Sequence, residues 1–199
     1  MQSVGGLCAV LAGIAGFLYA AAFLIVARIS PEAGRFWSAL FLMLGGLLST
    51  GALTALYERL RGTGGEGLSL WALLLGVAGV MGAAIHGGYD MASAVQPTAQ
   101  TAAPADAPSP VDPRGLLTFA VTGLAFVIFG ALISGGGPLP RGLGSLAYVQ
   151  GALLIILYLG RLTVLVPSSP VIVIPAIVSG FITGPAWYVR LGLALRRPA

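Results

Sequence analysis

Six long apolar runs, parted only by short polar stretches, set what this chain can fold into. They lie at roughly 4–27, 36–57, 68–90, 115–134, 143–166 and 170–191. Each is long enough to cross the hydrocarbon core of a bilayer, which takes about 20 residues of helix. Hydrophobic residues make up 57% of the chain and charged residues 8%, with a mean hydropathy of +0.97. No soluble domain of 199 residues has an interior that could hide so large a share. The expected fold class is all-α: a polytopic membrane protein, one bundle of six transmembrane helices spanning 1–199. Membrane strands would be short and would alternate apolar with polar, so these continuous runs do not read as a β-barrel.

The first run has no basic residue ahead of it, only Met1-Gln2-Ser3, and Phe23-Leu24-Ile25-Val26 carries it past the small residues at Ala20-Ala21-Ala22. It is too long for the apolar part of a signal peptide and reads as a retained first helix. Cys8 lies inside it and reads as a small core residue.

The net charge of +4 rests on arginine alone, because the chain has neither lysine nor asparagine. Without lysine no side chain can form a Schiff base, which excludes retinal and pyridoxal chemistry. A phosphate-binding Walker loop lacks its lysine too. The absence of asparagine excludes N-linked glycosylation. Such a composition suits a bacterial origin. Arginines standing singly at helix ends do not form a nucleic-acid surface. The expected partners are membrane lipids and other membrane subunits.

Arginine placement also gives a topology. With both termini in the cytoplasm of a bacterial inner-membrane protein, the inner side holds Arg59, Arg61, Arg141, Arg190, Arg196 and Arg197. The outer side then holds Arg28, Arg35, Arg114 and Arg161. The Pro/Ala-rich segment 96–113 becomes an extracytoplasmic loop, too poor in large apolar residues to pack a core. Asp112 and Pro113 at its end suit the N-cap and first position of the fourth helix.

Glycine recurs within the runs at the spacing that lets helix backbones approach closely in lipid. Gly5-Ala9-Gly13 marks the first helix, Gly79-Ala83-Gly87 the third, and Gly180 with Gly184 the sixth. Pro185 is expected to kink the sixth helix. Trp187, Tyr188 and Arg190 beyond it read as an interfacial anchor, with an aromatic ligand wall as the alternative.

Ionisable groups inside the runs are costly, and each asks for an explanation. His86 and Asp90 stand one helical turn apart and share a face. Counting the rise from the start of each helix puts His86 and Arg161 at one level, near the outer interface, with Asp90 at the mouth. Arg114 ends at the same side. The plain structural reading is an ion pair, in which Asp90 neutralises Arg161 or Arg114 and His86 donates to Asp90. The functional alternative is a small polar pocket, with Arg161 holding an anionic group and His86 with Asp90 handling protons.

The same inventory limits other chemistry. The single histidine excludes bis-histidine haem and leaves a tetrahedral metal centre short of ligands. No cofactor and no metal is predicted. Ser145 sits at the opposite end of the bundle from His86, so the two cannot form a catalytic dyad. Asp90 has no second membrane aspartate beside it.

Several segments occur together: His86-Gly87-Gly88-Tyr89-Asp90, Asp112-Pro113-Arg114-Gly115-Leu116, Tyr158-Leu159-Gly160-Arg161-Leu162, and Pro185-Ala186-Trp187-Tyr188 with Leu191-Gly192-Leu193. Their order resembles small multi-pass membrane proteins of bacteria classed as domains of unknown function. The resemblance covers the third to sixth helices. It implies a six-helix inner-membrane protein and carries no activity, substrate or catalytic residue. The functional expectation is therefore non-enzymatic: a scaffold or accessory subunit, or a binder of an apolar or lipid-like ligand. A proton-coupled transporter or channel using His86, Asp90 and Arg161 is the alternative, and a membrane-embedded enzyme the second alternative.

Overall fold

The computed structural model describes residues 2–96, 110–136 and 138–197. It contains six helices long and apolar enough to cross a membrane. We label them α1 Gln2–Ile29, α2 Pro31–Leu60, α3 Glu66–Val95, α4 Pro113–Ser134, α5 Arg141–Thr163 and α6 Pro170–Leu195. Among the described residues there is no strand. Most of the expected loop at 96–113 lies outside the described residues.

The helices form a closed ring. Each packs beside the next in sequence, and α6 returns against α1. Short turns make sequence neighbours antiparallel, and for α3 and α4 the contacts Gly82–Leu117, Gly79–Thr122 and Gly76–Ala125 run in opposite directions along the two helices. Gln2, the turn after Leu60, the turn after Ser134 and Leu195 therefore share one end, here called the terminal face. The ends of α1, α3 and α5 and the starts of α2, α4 and α6 lie at the other end, the distal face. Gln2 Nε2 donates to the Ala55 carbonyl at 3.3 Å, which ties the start of α1 to the end of α2.

The ring's axis is filled. Ala9, Ala52, Leu53, Leu56, Phe126, Phe129, Trp187 and Leu191 are buried and belong to one core. Trp187 is 0% exposed, and its ring lies 4.4 Å from that of Phe126 and 5.0 Å from that of Tyr188. This corrects the reading of Trp187 as an interfacial anchor. Gly184, Trp187 and Leu191 stand three and four residues apart, so they share the inward stripe of α6, while Arg190 falls off it and is exposed.

Glycine lets the seams close. A side chain at Gly87 would meet the Ala39 carbonyl and the Met43 amide of α2, each at 2.6 Å, and one at Gly79 would collide with Thr122 of α4. The Gly79-Ala83-Gly87 stripe thus serves two neighbours rather than one. Gly5 and Gly13 divide in the same way, Gly5 against Ala55 of α2 and Gly13 against Pro185 and Tyr188 of α6. The reason is geometric: every helix in a ring has two partners, and a helical stripe drifts across both. Gly180 packs on Ala20 of α1. Gly184 stands beside Gln150 of α5, which accepts a buried hydrogen bond from the Thr183 hydroxyl.

Three π-helical turns interrupt the spans, at Ala22–Val26, Leu116–Val121 and Ser179–Thr183. The last explains how α6 accommodates Pro185. The helix widens over Ser179–Thr183 and resumes as α-helix at Gly184, with Pro185 in its first turn, where a missing N–H costs little. Widening spoils regular carbonyl pairing, and a threonine hydroxyl follows or ends two of the turns. The Thr183 hydroxyl donates across the seam to Gln150, while Thr122 donates to the Leu117 carbonyl at 3.1 Å. Such side-chain rescue is needed where no water can serve the backbone.

Candidate functional site

The polar exceptions inside the spans converge at the distal end of the bundle. On α3, His86 and Asp90 extend the stripe of Gly79 and Gly82, which faces α4. His86 Nε2 and Asp90 Oδ2 are 3.1 Å apart, with side chains 20% and 41% exposed. Nδ1 of His86 is buried and has no hydrogen-bond partner among the described residues.

The level of these groups follows from helix length. From Glu66 to His86, and from Arg141 to Arg161, the chain advances by the same 20 residues, which is about 30 Å of helix. His86 and Arg161 therefore share a level. Asp90, however, is not at a helix mouth. The alanine-rich residues after it keep α3 helical to Val95, and Gln96 still donates to the Ala92 carbonyl at 2.9 Å.

Asp112 is 1% exposed and accepts backbone hydrogen bonds from Leu117 at 2.8 Å and Thr118 at 3.0 Å. It caps α4, though farther along than an ordinary N-cap. Arg114 and Gly115 turn the chain with φ of 58° and 83°, and Leu116–Val121 follows as a π turn. Together these bring the amides of Leu117 and Thr118 over the carboxylate.

Arg161, two residues before the end of α5 at Thr163, lies over the Phe119 ring, its guanidinium carbon 5.4 Å from the ring centroid. Gly115 makes room for it: a side chain there would overlap Phe119 and come within 3.2 Å of Arg161 Nη1. Arg161 is within electrostatic reach of Tyr19, Arg114 and Asp112, and Tyr19 within reach of Asp90. His86 pairs with Asp90 and Arg61 with Glu58, and Asp90 does not bridge to Arg161. The structure thus gathers His86, Asp90, Arg161 and Arg114 at one end but pairs the histidine and aspartate within their own helix.

Tyr19 is the member that sequence reasoning missed. A lone tyrosine in an apolar run carries no spacing signal, and only the folded chain brings it within electrostatic reach of Arg161 and Asp90. Gln150, at mid-depth, belongs to the α5–α6 seam rather than to this cluster.

Two apolar grooves lie on the flanks. One of about 230 Å³ runs between α1 and α6, lined by Gly13, Ile14, Phe17, Leu18, Pro185 and Val189. The other, about 340 Å³, lies between α2 and α3 near the distal end and is lined by residues including Phe36, Gly88 and Met91. Among the described residues, no three of His, Cys, Asp and Glu are grouped as a metal would need. No family model matches the chain, and no curated protein or solved structure matches it.

Proposed function

We propose that this is a non-enzymatic, multi-pass protein of a bacterial inner membrane that holds a lipid-like ligand on its flank, with both termini in the cytoplasm. The observation that carries the reading is the α1–α6 groove, whose lining is wholly apolar and includes Gly13 and Pro185. Small residues recess the wall, while Ile14 and Phe17 stand 47% and 44% exposed beside it. A groove of this kind within a membrane span suits an acyl chain, because it offers dispersion contacts without asking for a hydrogen bond. The packed axis sets this reading above a transporter or channel built on His86, Asp90 and Arg161. The arginine excess at the terminal face supports the orientation.

Native mass spectrometry after extraction in a mild detergent tests the idea. Wild type should retain a lipid, and Ile14→Trp, which fills the groove without entering a seam, should release it. A wild-type protein that flies with neither lipid nor protein partner, or an Ile14→Trp variant that keeps the same lipid, overturns the reading.

A further inference from the structure

The distal cluster has a cation in excess of its contacts. Asp112 is the carboxylate within electrostatic reach of Arg161, and Asp90 lies within reach of Tyr19; each already has donors. Asp112 receives the amides of Leu117 and Thr118, and Asp90 is engaged by His86. No carboxylate oxygen of the described residues lies within 4 Å of the Arg161 guanidinium. Its central carbon lies over the Phe119 ring, 5.4 Å from the centroid, and Nη1 lies beside Gly115. The remaining N–H edge is therefore the functional edge of a guanidinium, with five donors in a fixed fork suited to two oxygens of one ligand. A half-buried arginine at membrane depth is costly unless something accepts those donors.

We propose that the distal cluster is an oxyanion site, in which Arg161 takes a phosphate or carboxylate group on its free edge and Tyr19 supplies a hydroxyl donor from across the ring. Phe119 and Gly115 position the guanidinium. Asp112 holds the start of α4 so that Phe119 stays beneath it. The oxyanion comes either from a dissolved ion or from the headgroup of an anionic lipid; both present the same oxygens to the fork. The site is independent of the α1–α6 groove and shares no residue with it.

Thermal unfolding of the full chain in nanodiscs tests the site and separates the sources. Inorganic phosphate and acetate are titrated into discs of phosphatidylcholine alone, and a second series replaces phosphatidylcholine with phosphatidylglycerol. Stabilisation by phosphate or acetate identifies a dissolved oxyanion, and stabilisation by phosphatidylglycerol alone identifies a headgroup. Arg161→Gln should weaken the response by roughly tenfold or more, and Arg161→Lys, which keeps charge but not the fork, by less. Tyr19→Phe, chosen because it keeps the ring's packing, should weaken it by a few-fold. Arg35→Gln, exposed at the same face, should leave it unchanged. The same response in Arg161→Gln as in wild type, or no response of wild type to any of the three ligands, overturns the proposal. Ile14→Trp should respond like wild type, so failure of the groove reading and failure of this one give different results.

Discussion

The indole of Trp187 lies against Phe126 and Tyr188, and its Nε1 is buried with no hydrogen-bond partner among the described residues. Its contribution must therefore come from dispersion and shape rather than from its polar end. Lipid outside the bundle is as apolar as the core, so what truncation forfeits is close packing, not escape from water. Trp187→Ala should destabilise the bundle on the order of 3 kcal/mol, whereas Trp187→Phe should cost much less, since the lost N–H has no partner. Denaturant unfolding in detergent measures both. Equal costs would mean that the indole nitrogen is engaged after all. Asp112 shows the opposite case, a buried side chain held entirely by its polar end. Its aspartate-proline context was legible as a helix start, but the partners it chose depend on the left-handed turn at Arg114 and Gly115.

At the scale of elements, the seams differ in how they close. Glycines meet backbone across the α2–α3 seam at Gly46 and Gly87, and across the α4–α5 seam at Gly123 and Gly151. The α5–α6 seam has a looser glycine, Gly160, whose added side chain would lie 3.2 Å or more from Val171 and Ile172. It gains the Thr183–Gln150 hydrogen bond instead. The sequence displays all these glycines alike, yet they are not equal. Gly87 faces backbone that cannot yield, while Gly16 has no atom within 4 Å of where a side chain would start. Gly87→Ala should lower the unfolding temperature in detergent markedly, and Gly16→Ala should hold or slightly raise it through better helix propensity. If both substitutions act alike, the seams do not depend on close approach. Small-xxx-small spacing identifies candidates for contact but cannot assign the partner, because a stripe that touches one neighbour at Gly79 has drifted to the other by Gly87.

At the scale of the whole molecule, six antiparallel spans in a ring put the described ends, Gln2 and Arg197, on one face. Reporter fusions at the two termini should give the same side of the membrane, and a cysteine placed at Ser30, in a Cys8→Ser background, should label from the other. Opposite sides for the two termini would contradict the six-span ring. The existence, number and approximate limits of the spans were legible because apolarity over about 20 residues is a property each segment carries alone. That His86 and Arg161 lie toward the same end was readable by counting helical rise from the start of each helix. What could not be read was anything decided by a neighbour. The sequence determined a six-helix membrane bundle with the ionisable interruptions His86, Asp90 and Arg161 gathered toward one end. Only the tertiary structure decided that Trp187 is core, that Asp90 pairs with His86 rather than Arg161, and that Tyr19 joins them. Which face of a helix meets which partner depends on the closure of the ring, and lipid and protein interior are too alike in polarity for composition to mark the difference.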